Sequence, residues 1–127
     1  MIKPIPKKLL PNSCTYEKYN SDTGEGSSYS SSVTLSNVKI DEQKQFSYTT
    51  NGKEVIGNAM LFYDLTNSSG FTNKPVNESK ITFNSKTYTI KSVDTLRAYD
   101  DTPHHYEILL KWERLIALIR LLTGLVR

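Results

Sequence analysis

Histidine, cysteine and carboxylate side chains supply most hydrolytic, redox and metal chemistry, and one stretch of this chain gathers them densely. Asp100-Asp101-Thr-Pro-His104-His105 has the residue types of a metal site. Adjacent histidines in extended chain point to opposite faces, so His104 and His105 can share an ion only if the backbone at Pro103 departs from a strand. The plainer expectation is a pair at the start of a strand, with one ring held by a hydrogen bond. Cys14, the single cysteine, could be drawn as a nucleophile with either histidine as its base. A lone cysteine in strand-forming sequence is more often a small core residue. One cysteine also excludes an internal disulfide and a cysteine-rich zinc cage.

Other catalytic signatures are missing from the sequence. There is no P-loop, dinucleotide glycine pattern or nucleophile elbow, and Gly24-Glu-Gly26 lacks the spacing that would follow in any of them. Asp41, Glu42 and Asp64 form no carboxylate pair at a readable spacing. Tyr63, Tyr88 and Tyr106 could stack nucleic-acid bases on a small barrel, but few basic residues lie among them, and they read as core and rim. No catalytic, cofactor-binding or metal-binding residue is assigned, no cofactor is expected, and the chain reads as a non-enzyme.

The elements that would position these residues must fit in one domain, since 127 residues build one core and not two. Hydrophobic residues make up only 37%, yet eight Tyr, four Phe and one Trp supply enough buriable surface for a fold with long solvated loops. Net charge is +3; residues 1–111 carry thirteen basic against twelve acidic groups, too even a balance for a body that tracks phosphates. The opening Met-Ile-Lys-Pro-Ile-Pro-Lys-Lys has no apolar run of signal-peptide length, so synthesis in a reducing cytoplasm is expected.

Residues 1–12 hold Pro4, Pro6 and Pro11 among lysines, which predicts an extended arm, either frayed or lying across a neighbouring surface. A barrel domain is expected over 13–111. Cys14 to Tyr19 suits a strand, and Asn20 to Ser32 has the Ser, Gly and Asp content of a flexible loop. Val33, Leu35, Val38 and Ile40 alternate after a one-residue offset, which predicts a strand with a bulge. Asn51-Gly52 between two β-rich runs predicts a hairpin. Ala59 to Tyr63 reads as a strand buried on both faces, 66–80 as a loop, and Asn84-Ser-Lys86 as a second tight turn between Ile81–Phe83 and Thr87–Ile90, continuing towards Leu96. Tyr106, Ile108 and Leu110 alternate in a last strand. Short strands punctuated by turns, with no helical period before residue 111, predict a mainly β fold, a small antiparallel barrel or sandwich; a barrel is preferred because closure protects edges.

Residues 112–127 change period. Leu115, Leu118, Ile119, Leu122, Leu125 and Val126 fall on one face of a C-terminal amphipathic α-helix, a candidate interface with the barrel itself or a neighbouring subunit. Three arginines give too weak a cationic face to favour a membrane.

Particular strings carry more than periodicity. The opening Lys3-Pro-Ile-Pro-Lys-Lys-Leu-Leu-Pro11, the central Ala59-Met-Leu-Phe-Tyr-Asp64 followed by Asn67-Ser68, the hairpin Lys80 to Ile90 and the closing His104-His-Tyr-Glu-Ile108 resemble, in order and spacing, the minor capsid protein family of tailed phages infecting Gram-positive bacteria. The resemblance implies a virion structural protein at the head–tail interface. There it would be a head-completion component similar to the stopper proteins that form a ring below the portal and adaptor and retain packaged DNA. Its implied partners are copies of itself, adjacent connector, portal-adaptor and tail proteins, and DNA in the channel. The candidate channel loop is the serine-rich segment with Asp22, Gly24, Gly26, Ser28 and Ser30, or else the loop at 66–80. The resemblance implies no catalytic residue and gives no role to the stretch after Trp112. A different class of function, a small barrel that binds single-stranded nucleic acid, would show strong salt dependence; the near-neutral body favours the assembly reading.

Overall fold

The computed structural model describes residues 3–23 and 26–112. Ten strands follow one short 3-10 turn at Lys7–Leu9. They are β1 (Asn12–Glu17), β2 (Tyr19–Thr23), β3 (Gly26–Tyr29), β4 (Val33–Asp41), β5 (Gln45–Thr49), β6 (Gly52–Gly57), β7 (Ala59–Asp64), β8 (Lys80–Phe83), β9 (Lys86–Arg97) and β10 (Pro103–Trp112). Six of them close an antiparallel barrel in the order β1-β4-β7-β10-β9-β8, while β2–β3 and β5–β6 are separate two-stranded ribbons. The expected C-terminal helix, with its candidate interface Leu115, Leu118, Ile119, Leu122, Leu125 and Val126, lies outside the described residues.

Alternation fills the barrel. Cys14 and Tyr16 from β1, Leu35, Val38 and Ile40 from β4, Ala59, Leu61 and Tyr63 from β7, Ile81, Tyr88 and Ile90 from β8–β9, and Ile108 and Leu110 from β10 form one buried cluster. Every second residue turns inward because strand side chains alternate with period two. The β4 offset is real. Cys14 faces Leu35 and Ser13 faces Ser36, but Asn12 faces Val38. Asn37 is the extra residue, with φ of 55°, and asparagine tolerates that region better than β-branched types. The Asn12 carboxamide oxygen accepts the Ile40 amide at 2.9 Å, tying the start of β1 to β4.

Five expectations need correction. The hairpin at Asn51-Gly52 forms, but Thr49 already pairs with Gly52, so Thr50 and Asn51 are its central residues and Gly52, at φ 113°, opens β6. The run Ala59 to Tyr63 is not buried on both faces; Ala59, Leu61 and Tyr63 point into the barrel while Met60 and Phe62 are half-buried outside. The turn at Asn84-Ser-Lys86 is one residue shorter, because Phe83 already pairs with Lys86. Asn84 and Ser85 are its two central residues, both at positive φ (55° and 65°), the geometry that matches strand twist. The arm contains a helical turn, which proline permits because Pro6 precedes it and Pro11 follows it. The serine-rich segment is also not a loop: Asp22 pairs with Ser27 and Tyr19 with Tyr29 in a β-hairpin. Composition misses this because β1 and β4 are already paired at Tyr16 and Val33, which brings the two ends of the segment side by side so that it can pair as a ribbon of its own.

Candidate functional site

The closed barrel leaves no free sheet edge for strand pairing, and its longer connections project from it or fold over it. Three are built in different ways.

At the first, β2–β3 leaves the barrel between β1 and β4. Its base is closed by the Ser30 amide donating to the Lys18 carbonyl at 2.9 Å and by the Asn20 amide donating to the Ser30 hydroxyl at 3.1 Å. Tyr19 and Tyr29 meet edge to face with ring centroids 5.7 Å apart, and the Lys80 ammonium sits 4.3 Å over the Tyr29 ring. The expected channel residues Asp22, Gly26 and Ser28 lie on these strands and Ser30 just beyond them; Gly24 lies outside the described residues.

The second, β5–β6, leaves the other end of β4. Phe46 pairs with Val55 and Tyr48 with Lys53, so all four share one face. That face is open: Tyr48 is 76% exposed, and Phe46 and Val55 are exposed as well. The Lys53 ammonium covers the Phe46 ring at 3.8 Å. An apolar, aromatic face held away from the core is the composition of a protein interface. Neither the residue-type pattern nor the hairpin signal had marked Phe46, Tyr48 and Val55 as functional. Their exposure follows only from the topology. At its root, Gly57 runs against β10, where an added Cβ would stand 2.5 Å from Leu109 Cδ1 and 2.9 Å from the Leu110 carbonyl.

The third connection, 65–79, folds back. Phe71 packs edge to face on Tyr16, centroids 4.9 Å apart, and also against Tyr63 and Tyr106. The Tyr16 hydroxyl accepts the Val76 amide and the Tyr63 hydroxyl accepts the Phe71 amide, each at 3.2 Å. Gly70, at φ +128°, approaches so closely that a Cβ would stand 2.6 Å from the Thr34 carbonyl. This segment closes the barrel mouth. Beside it a groove of about 470 Å³ is lined by Tyr16, Lys18, Ser30, Val33, Phe71 and Lys74 among others, with no histidine, cysteine or carboxylate.

The N-terminal arm docks where β7 ends and β10 begins. Asp64 is fully buried there. Its Oδ1 accepts the Ile5 amide at 3.0 Å and its Oδ2 accepts the Thr66 and Asn67 amides at 3.0 and 2.8 Å. The Asn67 carboxamide donates to the Ile5 carbonyl at 2.8 Å, and the Ser68 hydroxyl donates to the Asn37 carbonyl. The arm is therefore fastened to its own barrel. His104 and His105 meet it here: His104 Nε2 lies 2.7 Å from the Lys3 carbonyl, the two Nδ1 atoms are 2.8 Å apart, and His105 Nε2 is 3.0 Å from Glu107 Oε2. The sequence reading foresaw one ring held by a hydrogen bond; both are.

Cys14 does not join them. Its strand is separated from β10 by two strands in either direction around the barrel. Burial pushes its thiol up to about 12, which leaves it protonated and unreactive at neutral pH. Among the described residues no three His, Cys, Asp or Glu side chains are grouped so as to hold a metal ion, and no helix is long and apolar enough to cross a membrane.

No curated protein matches the chain. A family model described as minor capsid protein matches residues 6–110. The match runs from the arm to the last barrel strand and takes in both ribbons, so the chain belongs to the minor capsid protein family, whose members are structural proteins of the virion.

Proposed function

We propose that this protein is a head-completion component of a tailed phage of Gram-positive bacteria, a stopper-like subunit that forms a ring below the portal and adaptor and helps retain packaged DNA. One observation carries the reading: the edge-free barrel sends two ribbons from opposite ends of β4, so one subunit can reach two neighbours or levels of an assembly while its core stays intact. The apolar face of β5–β6 suits contact with an adjacent connector or tail protein or another copy of the chain. The β2–β3 hairpin is the better channel candidate, because the alternative segment, 65–79, is committed to closing the barrel mouth.

Reconstruction of the virion neck tests the proposal. The expected result is a ring of this chain between adaptor and tail with β2–β3 towards the axis. Particles that lose DNA when 20–29 is shortened to a tight turn, yet still incorporate the protein, would support the retention role. A neck that lacks the protein overturns the reading.

A further inference from the structure

On the β5–β6 ribbon, Phe46 lies opposite Val55 and Tyr48 opposite Lys53, and all three apolar members of that face are exposed. Two strands cannot bury such a face by themselves, and an isolated two-stranded ribbon is marginal in water. A further layer laid on it would take aromatic and aliphatic surface out of water.

The barrel delivers a suitable piece of chain to the root of this ribbon. Trp112, where β10 ends, donates its amide to Asn58 Oδ1 at 2.8 Å, one residue beyond the end of β6. Its ring lies 5.0 Å from the Lys86 ammonium, which pairs at 3.0 Å with Glu42 on the connection that leads into β5. The chain thus leaves β10 beside both strands of the ribbon. Fifteen residues follow, 113–127, of which nine are apolar and only Glu113 is acidic. Their length also fits. The two strands have five and six residues, about 17–20 Å at the rise of a strand. Fifteen residues cover about 22 Å even at the rise of a helix, so they can run the whole ribbon. The groove of about 470 Å³ beside 65–79 is a poorer destination, because it lies by Val33 at the other end of β4.

We propose that residues 113–127 lie along the Phe46–Tyr48–Val55 face of their own chain's ribbon, with the stripe Leu115, Leu118, Ile119, Leu122, Leu125 and Val126 turned onto it. The occupant is the same chain because a segment tethered at the ribbon root meets this face at a far higher effective concentration than a second copy does. Such a contact stands whether or not the subunit forms a ring, and a neighbour that uses the face in an assembly displaces the segment. Docking of a short terminal segment opens and closes beneath the global transition, so it adds little to the unfolding free energy of the barrel.

Cross-linking of the isolated, full-length subunit tests the proposal. Leu118→Cys is combined either with Val55→Cys, on the apolar face, or with Glu54→Cys, which pairs with Ser47 on the opposite face. Cys14 is buried and does not compete for the reagent. A short bifunctional thiol reagent should join positions 118 and 55 within one chain, at monomer mass, about tenfold faster than positions 118 and 54, as a docked segment requires. Equal rates for the two pairs overturn the proposal. So does a product that is mainly covalent dimer, which would assign the segment to a second copy. Without added cysteines, Leu118→Asp with Leu122→Asp should speed amide exchange in β5–β6 by about tenfold and leave β7 and β10 unchanged; unaltered exchange in the ribbon also overturns it. Both measurements use the subunit alone, so their failure is distinct from the absence of the protein from the virion neck, which would overturn the assembly role.

Discussion

The barrel and the β5–β6 ribbon are written in the same alphabet and end in opposite states. Both alternate apolar with polar residues, and both are antiparallel pairs joined by tight turns. In the barrel, Leu35, Leu61, Ile90 and Ile108 have no exposed surface, whereas Phe46, Tyr48 and Val55 of the ribbon lie open. Closure makes the difference. Six strands can wrap their apolar face around itself; two strands have no inside, and an isolated two-stranded ribbon is marginal in water. Alternation thus specifies a strand with an apolar face, and only topology specifies what that face meets. In the barrel it meets the fold, and in the ribbon it lies open.

The comparison breaks most visibly if the two faces respond alike to truncation. Leu61→Ala should cost about 2–5 kcal/mol of unfolding free energy, because a closed barrel cannot collapse around the cavity. Val55→Ala should stay within about 0.5 kcal/mol. Denaturant titration of both variants is decisive, and equal losses would mean that the ribbon is part of the core.

Next in size is the joint between the regions. Gly57→Ala would drive a Cβ to within 2.5 Å of the Leu109 side chain and 2.9 Å of a backbone oxygen that cannot swing away. A loss of about 1–3 kcal/mol is expected, the range for overpacking, measured as a lower denaturation midpoint. An unchanged midpoint would show that ribbon and barrel shift freely at this contact.

What the residues disclosed and what they hid follows the same division. The bulge in β4, the two tight hairpins and the long run of β9 were readable because each depends on local chemistry: a period-two pattern with one offset, or asparagine and glycine in turns. The placement of each turn depended on pairing: one came out a residue short at Asn84-Ser85, and the other is centred on Thr50 and Asn51 rather than on Asn51 and Gly52. The serine-rich hairpin was hidden because its two ends are brought together by the β1–β4 pairing, and serine side chains give no pattern. The Asp64 clamp was illegible because its partners lie 59 residues away at Ile5 and only two or three away at Thr66 and Asn67. Only the first of these requires the fold, yet without it nothing distinguishes Asp64 from a turn aspartate. His104 and His105 were noticed by type, but their arrangement as a line of contacts rather than a chelate depended on where the arm lies.

A smaller effect is expected at the clip that fastens the root of the ribbon. The Tyr88 hydroxyl donates to Glu42 at 3.1 Å, and Lys86 pairs with the same carboxylate oxygen at 3.0 Å. Burial, reinforced by the bond to the Glu42 carboxylate, pushes the Tyr88 phenol up from 10.0 to about 12. The fold thus favours the protonated phenol, and its contribution is complete below pH 10 and lost as pH rises through about 12. Tyr88→Phe should cost about 0.5–1.5 kcal/mol near neutrality. It should also remove this part of the alkaline decline in thermal stability. An undiminished decline would assign it to other groups.

The smallest effect on stability should accompany the largest on assembly, and this sharpens the comparison furthest. Tyr48 is 76% exposed and belongs to the ribbon face with Phe46, Lys53 and Val55. Tyr48→Ser removes a large aromatic side chain from water rather than from a core, so unfolding free energy should change by less than about 0.5 kcal/mol. If the face is an interface, the same ring is a natural anchor, because tyrosine carries much contact area on few rotatable bonds. Incorporation of the variant into virions, quantified against the unaltered protein in the same infected culture, should then fall by tenfold or more while the melting curve stays put. Normal incorporation would mean that the open face is a by-product of a short ribbon. A melting curve that drops with incorporation would mean instead that Tyr48 holds the fold and that the distinction between core and ribbon was misdrawn.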